Sequence, residues 1–256
     1  MADGTVTISE SPNSEIGPSR SRALAELALA FALILSVIWA PRPWQRALWI
    51  VAVAGVAAMM ARSWDGHQAL GLRRKDFWRS LWIAGLALVI AGATVTIASH
   101  LHSLRLPDPP RIGFGQEDNA FGHILLFVRT YWAYALWTFV QQLLLQGFFL
   151  TRLLRILPEP KMAAFVAGTL FAVAHLPNPI LTIATLVWGI AACLVFLRYR
   201  NLYPLAIAHA ILGITIAITI PGPVIRNMRV GLGYITYGNR HATAVSLQPQ
   251  RPNGVH

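Results

Sequence analysis

The chain has 256 residues, 55% of them hydrophobic and only 12% charged, with a mean hydropathy of +0.53. Soluble globular domains carry about a quarter charged residues, so this balance excludes that class and predicts an all-α, polytopic transmembrane helix bundle. The net charge of +11 does not signal nucleic acid, because the basic residues lie between apolar runs, at "GLRRKDFWRS" and "TRLLRILPEPK". That placement fits the positive-inside bias and attraction to the headgroups of membrane lipids, and no nucleic-acid partner is expected.

Residues 1–22 read as a disordered polar tail rich in Ser, Pro, Gly and acids. The first span covers 23–40. No short basic start precedes it and Pro41 follows it, so it is expected to be a retained anchor. The second span covers 47–61. Residues 66–80 are basic and aromatic, with Leu70, Leu72, Phe77 and Trp78, and suit an interfacial amphipathic helix. A third span, 81–101, is followed by a turn-rich loop or lid. The periodic stretch 123–156 exceeds the roughly 20 residues that one span needs, so it either projects from the bilayer or bends near Gly147. The fifth span, 162–176, is stopped by Pro177. The sixth covers 179–197, and the seventh, 203–220, carries Pro204 in its first turn. The transmembrane domain is thus 23–220, and 221–256 reads as an irregular basic tail.

The links after spans two, four and six are basic, and "PNP" after span five has no Lys or Arg, which places the N-terminus in the cytoplasm. Seven spans would put the C-terminus outside, against the bias of Arg226, Arg229, Arg240 and Arg251. An eighth or re-entrant segment would remove the conflict, but nothing in 221–256 is long enough to span.

Polar side chains within spans usually face the bundle interior. Thr138, Gln142 and Gln146 recur every fourth residue and form one helical stripe, with Tyr131 and Tyr134 near the same side. Gln141 lies about 100° away. Phe171 and His175 share a face of the fifth span, and His209 lies inside the seventh. The plain reading of such groups is helix-to-helix hydrogen bonding, at about 0.6 kcal/mol each. Glu26, beside Arg20 and Arg22 at the start of the first span, reads as a headgroup-level ion pair.

The pattern excludes several chemistries. There is no H-E-x-x-H and no acidic residue near His175 or His209, so neither a metal nor another cofactor is expected. The lone cysteine, Cys193, allows no disulfide within the chain. Ser36 and Ser99 lie outside any G-x-S-x-G context. A transporter reading lacks inverted repeats and paired broken helices.

A polar pair on a long helix, then F-x-x-x-H, then a second His on a later helix, resembles the CPBP family of intramembrane proteases, the type II CAAX prenyl endopeptidase-like or abortive-infection proteins. The resemblance covers roughly 125–220 and implies a bundle located in a bacterial inner membrane. In that family E-E-x-x-x-R supplies the water-activating Glu, F-x-x-x-H an assisting His, and H-x-x-x-N or H-x-x-x-D the oxyanion donors. Here the Glu pair falls on Gln141 and Gln142, the Arg on Gln146, and the Asn on Gly213, whereas Phe171, His175 and His209 are kept. The resemblance implies catalytic positions at Gln141, Gln142, His175 and His209, and substrate contacts at Gln146, Phe171 and Gly213. An amide keeps the shape of a carboxyl group but accepts no proton, so general-base catalysis, about 10²–10⁴-fold, is lost. The expectation is a pseudoprotease holding a hydrophobic or prenylated peptide. The competing expectation is an active endopeptidase with a displaced base.

Overall fold

A computed structural model describes residues 18–62, 70–72, 76–105 and 120–237. Helices α1 (Pro18–Trp39) and α2 (Arg42–Arg62) form an antiparallel hairpin, and the single turn α3 (Phe77–Ser80) leads into α4 (Trp82–His100). The long helical rod runs from α5 (Ala120–Gln142) through a π-helical stretch, Leu143–Leu150, into α6 (Thr151–Ile156). Then follow α7 (Pro160–Val173), α8 (Pro179–Tyr199), α9 (Tyr203–Thr219), α10 (Gly222–Ile225), a 3₁₀ turn at Arg226–Met228, and α11 (Gly231–Ile235). Among the described residues there is no strand.

The long apolar helices follow from the composition. Four of them, Arg20–Trp39, Arg42–Arg62, Phe77–His100 and Pro179–Tyr199, are long and apolar enough to cross a membrane. Proline opens α7 and α8, where its missing N–H costs nothing. Large apolar side chains point outward, such as Val89 at 70% and Ile183 at 65% exposure, as a lipid-facing surface requires. α7 and α8 cross on small residues. A Cβ at Gly168 would lie 2.7 Å from the Ile190 backbone nitrogen, so only glycine permits this approach.

Three details differ from the sequence expectations. Residues 18–22 belong to α1 rather than to a tail, and the Arg22–Glu26 ion pair, four residues apart at 2.9 Å, supports this extra turn. Of the expected interfacial helix 66–80, only Phe77–Ser80 is helical among the described residues, and Gly71 at φ +74° interrupts the path before it. Residues 63–69 and 73–75 lie outside the described residues, as does most of the expected lid, 106–119. The first part of the C-terminal tail is folded into short helices instead of being irregular.

Hydrogen bonds define the two ends of the bundle. At one end Gly231 N–H donates to Leu176 O at 2.7 Å, Arg105 N–H donates to Ile218 O at 2.7 Å, and Gly231 packs against Ile38. Asn178 caps α8 by accepting from Leu181 N–H, and its amide donates to the carbonyls of Ile225 and Arg229. The segment 221–235 therefore folds back at the C-terminal end of α1 and does not cross. At the other end Leu202 N–H donates to Gly71 O, and Arg152 of α6 pairs with Glu26 of α1.

Candidate functional site

Around Gly147, where the sequence allows either a bend or a projecting helix, the rod is π-helical, and its wider turns leave carbonyls to be satisfied by other groups. The Thr151 hydroxyl donates to the carbonyls of Gly147 and Phe148, at 2.8 and 2.9 Å. Arg152 donates from Nη1 to Phe148 O at 3.4 Å and lays its guanidinium 3.7 Å over the Phe148 ring. The same buried arginine donates from Nε to Glu26 and from Nη2 to Met59 O. It thereby ties α1, α2 and the π stretch together.

The stripe on α5 faces α9. Gln142 and Gln146 are both wholly buried. Gln146 Nε2 donates to Gln142 Oε1 at 2.7 Å, and Gln142 Nε2 lies 2.9 Å from His209 Nδ1. With these amide orientations His209 Nδ1 accepts, so its proton sits on Nε2. Gln146 Oε1 and the Trp188 indole Nε1 are buried without a partner among the described residues. Trp188 lies beside His209, ring centroids 5.9 Å apart.

Gln141, a third of a turn away from Gln142, faces elsewhere. It lines a cavity of about 420 Å³ between the α1–α2 hairpin and the rod with α7. His175 lines the same cavity. Its Nδ1 lies 2.7 Å from Phe171 O, and a carbonyl only accepts, so Nδ1 carries the proton and Nε2 presents a lone pair. The remaining lining is apolar, with no carboxylate.

The sequence-derived residues thus fall into two adjoining groups. Gln142, Gln146 and His209 form a hydrogen-bonded seam between α5 and α9, and Gln141 and His175 lie in the cavity wall. Phe171 joins them: its ring meets His175 at 4.8 Å and His209 at 5.8 Å, edge-on to both. Gly213, one turn beyond His209, lies against Tyr134, whose phenol fills the space a side chain there would need. Sequence reasoning placed Tyr134 near the glutamine stripe but missed this contact. It also missed the Glu26–Arg152 pair, which joins residues 126 apart in the chain. Among the described residues no three His, Cys, Asp or Glu side chains gather as a metal site.

These features define a helical integral membrane protein with three glutamine amides and two imidazoles inside its bundle. Residues 123–215 match the family model described as Type II CAAX prenyl endopeptidase Rce1-like. That match supports the resemblance of this region to the CAAX protease-like (CPBP) family. No curated protein and no solved structure matches the chain.

Proposed function

We propose that this protein is a catalytically impaired member of the CAAX protease-like family that holds a hydrophobic or lipidated peptide in the cavity between the hairpin and α7. We place it in a bacterial inner membrane with its N-terminus in the cytoplasm, in contact with membrane lipids. The observation that carries the reading is the lining: Gln141 and His175 are its polar side chains, and all the rest is apolar. Such a wall accepts a hydrocarbon chain and offers a peptide two hydrogen-bonding groups, but it contains no carboxylate to activate water.

One observation favours the competing reading of an active endopeptidase. His175 lines the cavity with Nε2 left as an acceptor, and imidazole is itself a general base. Glu26 is a poorer displaced base. It is paired with Arg22 and Arg152 at 2.9 and 3.1 Å and is not among the cavity-lining residues. The deciding experiment is cleavage and binding of a prenylated peptide by the purified full chain. Binding without turnover is the expected result. Turnover that disappears in His175→Ala would establish the active reading instead.

A further inference from the structure

Charge divides the two ends of the bundle. Glu26, Asp76 and Glu159 are the carboxylates among the described residues, and all three lie at the end where α1 begins and α6 stops. Glu26 and Asp76 are paired there with arginines. The opposite end, where 221–235 folds back onto Ile38 and Leu176, carries Arg42, Arg46, Arg105, Arg226 and Arg229 and no Asp or Glu among the described residues. In the orientation proposed above this end faces away from the cytoplasm, where the usual excess of Lys and Arg is not expected.

Two of these arginines, Arg105 and Arg229, stand on a fixed base beside the end of α9. The backbone N–H of Arg105 donates to Ile218 O at 2.7 Å in the last turn of that helix. Its guanidinium reaches over Gly222: a Cβ there would lie 2.7 Å from Arg105 Nη1 and would also meet Asn227 Oδ1. Asn227 is brought to this point by an unusual turn, in which Arg226, Asn227 and Met228 all take left-handed backbone angles, φ 46°, 49° and 55°. Such angles are unfavourable for residues that carry a side chain, so the turn has to be held by its surroundings. Asn178 holds it by donating to the carbonyls on either side, those of Ile225 and Arg229. Arg226 holds it by donating to Tyr234 O at 2.8 Å with its guanidinium over the Tyr234 ring. Arg226 is thus occupied by the fold, whereas Arg105 and Arg229 are exposed and pair with no carboxylate among the described residues. Leu101, four residues before Arg105, and Val224 of α10 add exposed apolar surface, at 72% and 55%.

We propose that Arg105, Asn227 and Arg229 form a binding site for the phosphate of an anionic phospholipid headgroup, with the acyl chains lying on Leu101 and Val224. Guanidinium groups bind phosphate through charge-assisted hydrogen bonds in a fixed planar geometry, and the Asn227 amide adds a neutral donor. The site stands where α4 and α9 end, which is headgroup depth for a chain whose helices cross the bilayer. Apolar surface beside the cations is what a lipid uses and a free phosphate does not. The proposal goes beyond the reading of the cavity and does not depend on it, since none of these residues lines the cavity.

The test titrates the purified full chain, in a neutral detergent, with phosphatidylglycerol and counts bound lipid by native mass spectrometry. Phosphatidylglycerol should be retained at a concentration at which zwitterionic phosphatidylcholine is lost, and equal retention of the two overturns the proposal. Arg105→Gln and Arg229→Gln should each weaken retention of phosphatidylglycerol about tenfold, the scale of one hydrogen bond to a charged group. Both variants exchange exposed side chains, and if either fails to fold the other decides. Arg79→Gln, at the opposite end, should leave retention unchanged, and an equal loss there overturns the site in favour of attraction spread over the whole surface. Glycerol 3-phosphate that stabilises the chain against heat as well as the lipid does overturns the lipid as occupant. Binding that emerges only after Asp108→Asn, Glu117→Gln and Asp118→Asn overturns it too, because those acids would then be the partners of the arginines.

Discussion

Tyr134 of α5 fills the space that any side chain at Gly213 of α9 would need, with its Cζ 2.7 Å from where a Cβ would sit. The resemblance puts the Asn or Asp of the family's third motif at this position, where this chain has glycine and a phenol from the facing helix takes up the space. Tyr134, Thr138 and Gln142 lie on one stripe, so Tyr134–Gly213 and Gln142–His209 are successive rungs of the same α5–α9 contact.

It follows that Gly213→Ala is destabilising although alanine favours helix. The added carbon overpacks the rung at a cost of about 1–3 kcal/mol. Thermal unfolding in detergent should show the loss, and Tyr134→Ala introduced alongside should recover part of it. Additive losses in the double variant would show that the two residues do not compete for space.

On the proposed reading, installing peptidase chemistry requires more than refilling the motif. Gln142→Glu places a carboxylate against His209, Gln141→Glu places one in the cavity wall, and Gln146→Arg supplies the neutralising partner. Gly213→Asn must be accompanied by Tyr134→Ala, since the phenol occupies its place. The five changes together should raise cleavage of a prenylated peptide by up to about 10²-fold over the starting chain. The same set with Tyr134 retained should fold poorly or stay inactive. Full activity in that set would remove the steric argument.

The amide seam also gives an order of stabilities. Gln142 holds two hydrogen bonds and satisfies a buried imidazole, whereas Gln146 holds one and carries a carbonyl oxygen without a partner among the described residues. Gln142→Leu should cost about 1–3 kcal/mol by orphaning its partners. Gln146→Leu should cost less, because it removes an unsatisfied acceptor along with its donor. Unfolding midpoints in one detergent compare the two directly, and a larger loss for Gln146→Leu would mean the seam is wired otherwise.

Orientation in the membrane is open to reporter fusions. Fusions after Pro158 and Arg200 should report the cytoplasm, and a fusion after Tyr237 the opposite side, because 221–235 packs at the far end of α1. A cytoplasmic signal from all three would contradict the alternation of the helices.

Much of this was legible from periodicity. The spans, the long rod over 123–156 and the placing of glutamines and histidines inside the bundle follow from apolar runs with polar stripes, whereas the π-helical turns within the rod do not. The 100° between Gln141 and Gln142 already separates the two side chains, and the structure sends one to the cavity and the other to the seam. Periodicity names a face but not what lies opposite it. Glu26 was paired with its neighbouring arginine from sequence, while its second partner, Arg152, needed the tertiary fold. Tyr134 and Gly213 were visible as a polar neighbour and a missing Asn, and only helix packing joins them.

Asn178 bears on where this protein could be cut. Its side chain closes the first turn of α8 and donates to the carbonyls of Ile225 and Arg229, both beyond residue 215, where the family match ends. A fragment trimmed to that match would keep the asparagine and discard its acceptors, along with Val230 from the cavity wall and Gly231 from beside Ile38. The recognisable motifs and the self-sufficient folding unit are therefore different lengths of chain, and a minimal expression fragment has to run through α11.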